Sequence, residues 1–136
     1  MDYGLRRIGL AVSDPTGTLA SPVDTLVRRK GKRPPLRRME EIAREREVDM
    51  LIVGLPLDLD GKENDWCVEV REVGDALAER LDVPVAYVDE RFSSVQAEQA
   101  VRSIGLGKRK KEDKARVDAA AAAVILQSWL DGREPQ

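Results

Sequence analysis

Residues 1–17, MDYGLRRIGLAVSDPTG, decide how the chain is read. Ile8, Leu10 and Val12 alternate with smaller residues, the period-two pattern of a strand buried on one face. Ser13-Asp14-Pro15-Thr16-Gly17 is turn chemistry throughout. Residues 18–27 then read as a return strand, and Pro22 within it assigns that strand to an edge. The outcome is an antiparallel hairpin or meander. Asp2 stands at the head of the first strand, and a carboxylate there asks for an explanation.

Beyond this stretch, residues 28–38, RRKGKRPPLRR, form a basic loop whose Pro34-Pro35 can open a helix. That helix spans about 36–47, with Met39, Ile42 and Ala43 as its apolar stripe. Residues 50–53 are a short apolar run ending at Gly54, typical of a strand buried on both faces. A loop, LPLDLDGKEN, follows. Residues 64–81 are amphipathic at helical spacing through Val70, Val73, Leu77 and Leu81. Residues 83–88 are a further apolar strand running into Asp89-Glu90. Ser93 with Gln96 matches a capping box and starts a helix to about residue 104. Residues 105–113 form a second basic loop, and an alanine-rich helix covers 114–130. The order is β-β-β-α-β-α-β-α-α, which predicts an α/β fold: a mixed sheet with helices on its faces.

The 136 residues predict one domain. The formal net charge is −2, so no global basic field is present. Histidine is absent, which removes Ser-His-Asp triads, Cys-His pairs and His-rich zinc sites. The single Cys67 can form no internal disulfide and suits a reducing compartment. No stretch reaches the roughly 20 apolar residues of a membrane span, and the expected location is the cytoplasm. Carboxylate chemistry with a hard divalent ion is the strongest remaining route to catalysis.

Three acids stand in unusual places. Asp2 is on the first strand. Glu90 follows an apolar strand at its C-terminal end, where sites in α/β sheets collect. Asp118 shares a helical stripe with Ala122, Ile125 and Trp129, so it points toward the core. Burying a lone carboxylate costs several kcal/mol or forces protonation. Two explanations stand side by side. Asp118 pairs with Lys114 one turn earlier, or Asp2, Glu90 and Asp118 converge on one or two divalent ions.

Four motifs now come together: D-Y-G-x-R-R-I-G-x-A-V-S-D-P-T-G, V-G-L-P-L-x-x-D-G, V-D-E-R-F-S-S and K-x-x-x-D-A-x-A-A-x-x-x-L-Q-x-W-L. In this order they closely resemble the YqgF/RuvX family over essentially the whole chain. These are RNase H-like proteins described as Holliday junction resolvase-like and as nucleases of pre-16S ribosomal RNA. The resemblance implies one RNase H-like domain over residues 1–136, with a five-stranded mixed sheet of order 3-2-1-4-5 flanked by helices. It implies an acidic triad of Asp2, Glu90 and Asp118 that is catalytic and binds Mg²⁺ or Mn²⁺. Asp89 ranks below Glu90, because its side chain faces the other way in an extended strand. Members of the family carry several apolar residues before Asp-Tyr-Gly. Here Met1 alone precedes it, so the resemblance implies a chain lacking the first half of its first strand.

Nucleic-acid contacts are expected from two basic clusters. One comprises Arg28, Arg29, Lys30, Lys32, Arg33, Arg37 and Arg38. The other comprises Lys108, Arg109, Lys110, Lys111 and Lys114, and leads into the helix bearing Asp118. Arg6 and Arg7, beside Asp2, also suit phosphate; Arg7 and Arg91 equally suit structural ion pairs. Asp58-Leu59-Asp60-Gly61 lacks the closing glutamate of a calcium loop and reads as a turn. Cys67 and Trp129 read as packing. The leading function is a metal-dependent nuclease of RNA, with a ribosomal RNA precursor as candidate substrate. A junction-resolving DNA nuclease, which needs two sites and hence a dimer, is the alternative within the same chemistry. A non-catalytic RNA-binding assembly factor and an actin-like ATPase complete the set. No membrane partner is expected, and the chain is a monomer or a homodimer.

Overall fold

The computed structural model describes residues 1–4, 6–28, 34–89 and 110–132, and in the last of these the side chains from residue 119 onward. The elements are β1 (Asp2–Tyr3), β2 (Arg7–Ser13), β3 (Ala20–Val27), α1 (Leu36–Glu45), β4 (Leu51–Leu55), α2 (Asp65–Leu81), β5 (Val85–Asp89) and α3 (Lys110–Asp131). The expected α/β class is therefore present. The helix expected over 93–104 lies outside the described residues.

The opening hairpin forms as its turn residues dictate. Asp14 accepts hydrogen bonds through Oδ1 from the Thr18 amide at 2.8 Å and the Leu19 amide at 3.2 Å, and through Oδ2 from the Thr16 hydroxyl at 2.8 Å. Gly17 closes the turn onto the Asp14 carbonyl at 3.0 Å with φ 68°, a conformation that suits a residue without Cβ. β2 then pairs antiparallel with β3, from Arg7↔Val27 to Ser13↔Ala20, with a register shift at Leu10/Ala11. β1 pairs antiparallel with β2 through Asp2↔Gly9 and Tyr3↔Ile8. At the β1–β2 turn the Gly4 amide donates to the Arg7 carbonyl at 2.9 Å.

The single five-stranded sheet expected above is not what forms. The strands make a three-stranded antiparallel sheet, β1-β2-β3, and a two-stranded parallel sheet, β4-β5. The two meet at one residue. The Met1 ammonium donates to the Ile52 carbonyl at 2.7 Å, and the Met1 carbonyl accepts from the Gly54 amide at 3.0 Å. This is the pairing pattern of a parallel bridge, but it is one residue long, too short for a ladder.

Boundaries shift in two informative places. Gly54 lies inside β4 rather than after it. α3 starts at Lys110, so Lys110 and Lys111 belong to the helix and not to a loop. Elsewhere local chemistry holds: Asn64 caps α2 by accepting from the Cys67 amide at 3.0 Å. Its Nδ2 donates to the Pro56 carbonyl and to Asp58 Oδ1, which folds residues 56–64 into the expected turn.

α1 and α2 cover one side of the strands. Met1, Tyr3, Ile8, Met39, Val53, Leu55, Cys67, Val70, Val73 and Leu77 make that core. Each fully buried Val, Leu or Ile there contributes roughly 1.5–3 kcal/mol. α3 packs against β1, β2, β3 and β4, burying Ala121, Ala122 and Ile125. Two side chains pin these layers. Gln127 on α3 accepts from the Ala20 amide at 2.9 Å and donates to the Thr18 carbonyl at 2.9 Å, clasping the start of β3. Tyr87 on β5 places its hydroxyl 2.6 Å from Asp75 Oδ1 and 3.0 Å from the Arg71 carbonyl on α2. Gly74 makes room for it, since a Cβ there would stand 2.6 Å from Tyr87 Oη.

Candidate active site at the acidic end of β1

Side-chain alternation sets the site. Met1 and Tyr3 both point into the α1/α2 core, so Asp2 between them points to the α3 side. Its cross-strand partner in β2 is Gly9. The Met1 bridge sets Met1 opposite Val53, and one residue further the same register brings Asp2 beside Gly54. Both glycines are buried. No side chain from either neighbouring strand therefore crowds the Asp2 carboxylate at its own level. Gly54 in turn pairs with Val88 of β5.

The other two acids are placed only in part. Position 118 is within α3. Ala122 and Ile125, one and two turns on, are 0% and 2% exposed. Trp129 on the same stripe is half-buried. The Asp118 side chain, and those of Lys110, Lys111 and Lys114, lie outside the described residues, as do Glu90, Arg91, Lys108 and Arg109 entirely. Asp89 ends β5 opposite Leu55. It shares Tyr87's side of the strand, toward α2 and away from Asp2. Among the described residues no three acidic or sulfur ligands gather into a metal-binding group. What is described of the site fits a hard cation in kind: a carboxylate whose two strand neighbours are glycines.

Of the described cations, Arg6 is exposed in the β1–β2 turn, and Arg7 begins β2 on the side Asp2 faces. Arg28 corrects the sequence reading. Its side chain is only 13% exposed. Its guanidinium carbon lies 4.9 Å from the Tyr3 ring centroid and 5.6 Å from that of Trp66, and Nη1 is 3.1 Å from Glu69 Oε2. The Tyr3 and Trp66 rings stack at 5.5 Å. Burial pushes the Tyr3 hydroxyl up to about 12, with Arg28 opposing and Glu69 adding to the shift. Arg37 and Arg38, the other described members of that cluster, both reach Glu41, at 3.8 and 3.4 Å.

The sequence reading missed this stack, the Gln127 clasp and the glycine pair. The clasp joins residues 107 apart. Its one available signal was a glutamine inside the apolar run Ile125-Leu126-Gln127.

Comparison with known proteins agrees with this architecture. The family described as "RuvX: Holliday junction resolvase" matches residues 1–132. A protein of Anaeromyxobacter dehalogenans named "Putative pre-16S rRNA nuclease" is 45% identical over 135 residues, covering 99% of this chain and 96% of its own. A protein of the same name from Mycobacterium leprae is 44% identical over 132 residues, covering 96% of this chain and 70% of its own. Among solved structures, Thermus thermophilus RuvC in complex with a Holliday junction substrate superimposes with a TM-score of 0.57 at 19% identity, over 95% of this chain and 90% of that one.

Proposed function

This chain belongs to the RuvX family, and from that premise we propose that it is a divalent-metal-dependent nuclease of RNA, acting on a ribosomal RNA precursor. The observation that carries the proposal is Asp2, held on the α3 side of β1 between Gly9 and Gly54. The resemblance to relatives named for pre-16S rRNA supplies the substrate class.

In this reading Asp2, Glu90 and Asp118 would hold Mg²⁺ or Mn²⁺. When bound, such an ion polarises the scissile phosphate and lowers the pKa of a coordinated water. The chain's own part is placement. Asp2 is set by β1, whose alternation puts it opposite the aromatic core. Its cross-strand neighbour Gly9 carries no side chain. Position 118 lies within α3. Glu90 directly follows β5 in the sequence. Arg6, Arg7 and Arg91, with Lys108, Arg109, Lys110, Lys111 and Lys114, would follow the phosphate backbone, so binding should weaken steeply with salt.

The test is cleavage of a defined precursor rRNA with Mn²⁺ or Mg²⁺ by wild type, Asp2→Asn and Asp118→Asn. Each variant should fold and lose activity on the order of 100- to 1000-fold, as when a charge-stabilising group is removed from an active site. Equal rates in all three would end the proposal. The family's own description favours one second reading, hydrolysis of a four-way DNA junction. Symmetric nicking by a dimer, with no cleavage of RNA, would select it.

A further inference from the structure

The proposed chemistry uses the α3 side of β1; the opposite side carries a cluster it leaves unexplained. Tyr3 is 2% exposed and stacks on Trp66 with 24° between the ring planes. Arg28 lies over both rings and pairs with Glu69. The Arg28 amide also donates to the Arg6 carbonyl at 2.6 Å, tying the end of β3 to the turn after β1. Yet Tyr3 Oη and Arg28 Nε are buried without a hydrogen-bond partner, and Glu69 Oε2 meets the Arg28 guanidinium as an ion pair without hydrogen-bond geometry. A cation and carboxylate left partly unsatisfied are a poor way to gain stability, and apolar residues of similar volume commonly do better. What the arrangement does supply is fixed geometry. A planar guanidinium stacked on two rings has few alternative positions. Tyr3 is the neighbour of Asp2 in a strand of two residues, so a tilt of its ring moves the carboxylate.

We propose that Arg28, Trp66 and Glu69 are positioning residues that hold Asp2 in its working place through Tyr3. This rests on Asp2 being the reacting-site carboxylate.

The experiment compares full-length wild type, Arg28→Met, Arg28→Lys, Trp66→Phe and Asp2→Asn on one structured RNA. Single-turnover rate, RNA affinity against salt, thermal midpoint and amide exchange at Tyr3 and Gly4 are measured for each. Arg28→Met leaves the Glu69 carboxylate without its cation, so its midpoint should fall, while it binds RNA within about 2-fold. Its single-turnover rate should fall about 10- to 100-fold, with faster exchange confined to Tyr3 and Gly4. Arg28→Lys, which keeps the charge but not the planar stack, should fall similarly, and Trp66→Phe should retain most of the rate. Loss of RNA affinity with a salt slope lower by about 1 would make Arg28 a phosphate contact and overturn the proposal. A rate loss in Arg28→Lys and Arg28→Met that vanishes on cooling below the midpoint would reduce the cluster to a stability element. Wild-type rates in both Arg28 variants, with Asp2→Asn inactive, would overturn the positioning role alone. Full activity in Asp2→Asn would remove the site reading and this proposal together.

Discussion

Replacing Gly4 by alanine tests whether β1 is set by the tight turn that follows it. An alanine Cβ would stand 2.6 Å from the Arg7 carbonyl oxygen, with the Arg7 carbonyl carbon at 3.8 Å. That oxygen is backbone and is already engaged by the Gly4 amide at 2.9 Å, so no side-chain rotation relieves the contact. The turn must open. Forcing extra atoms into a packed site costs about 1–3 kcal/mol, and weakening the Gly4–Arg7 hydrogen bond adds about 1 kcal/mol. A total near 2–4 kcal/mol, at about 3–4 °C per kcal/mol for a domain of this size, lowers the thermal midpoint by roughly 6–16 °C. The consequence for function is larger. Gly4 is two residues from Asp2, and a displacement of about 1 Å at a reacting group costs on the order of 100-fold in rate. Differential scanning fluorimetry gives the midpoint, and single-turnover RNA cleavage well below it gives the rate. A Gly4→Ala protein with an unchanged midpoint and unchanged rate would refute the claim that this turn sets β1.

Gln127→Leu removes both halves of the clasp on β3 and leaves the Ala20 amide without its acceptor; chemical denaturation should show a loss of about 2–3 kcal/mol with an unchanged m-value. Tyr3→Phe removes a buried hydroxyl that makes no hydrogen bond, so stability at pH 7 should change by less than about 1 kcal/mol. The folded Tyr3 titrates near 12 against an ordinary value of 10.0. Its contribution is thus complete below about pH 10 and disappears as pH rises toward 12, and Tyr3→Phe should flatten that alkaline loss in a pH series of thermal midpoints. Asp14 lies below the usual carboxylate range because the Thr18 amide, then the Thr16 hydroxyl and the Leu19 amide, donate to it. Its contribution is present above the unfolded value and fades as pH falls through the folded one, so Asp14→Asn should lessen the acid dependence of the midpoint.

Local signals in the sequence carried far. The alternation of Ile8 and Leu10, the Asp14–Gly17 turn and the Asn64 cap act over a few residues, and each forms as its chemistry requires. Of the three acids, Asp118 stood out because a carboxylate interrupts the apolar stripe of its helix, and Asp2 and Glu90 because of their places at the head of one strand and after the end of another. What stayed hidden depends on partners far along the chain. Arg28 looks like a phosphate contact because six other cations share its segment; its aromatic partners are Tyr3 and Trp66, which no local pattern links to it. Gly9 and Gly54 are unremarkable apart, and gain meaning only when the Asp2↔Gly9 pair and the Met1 bridge bring both beside β1. The division into two sheets turns on two hydrogen bonds at Met1, a matter of ladder length and not of propensity.

The outer margin of β3 has a consequence for how copies of the chain can meet. The Ala20 amide is taken by Gln127, Pro22 has no amide hydrogen to give, and the Thr25 amide is capped by the Asp24 carboxylate at 2.8 Å. Backbone recruitment along this rim is closed at three positions. Growth of the sheet from one molecule into the next is therefore opposed at these three places along β3.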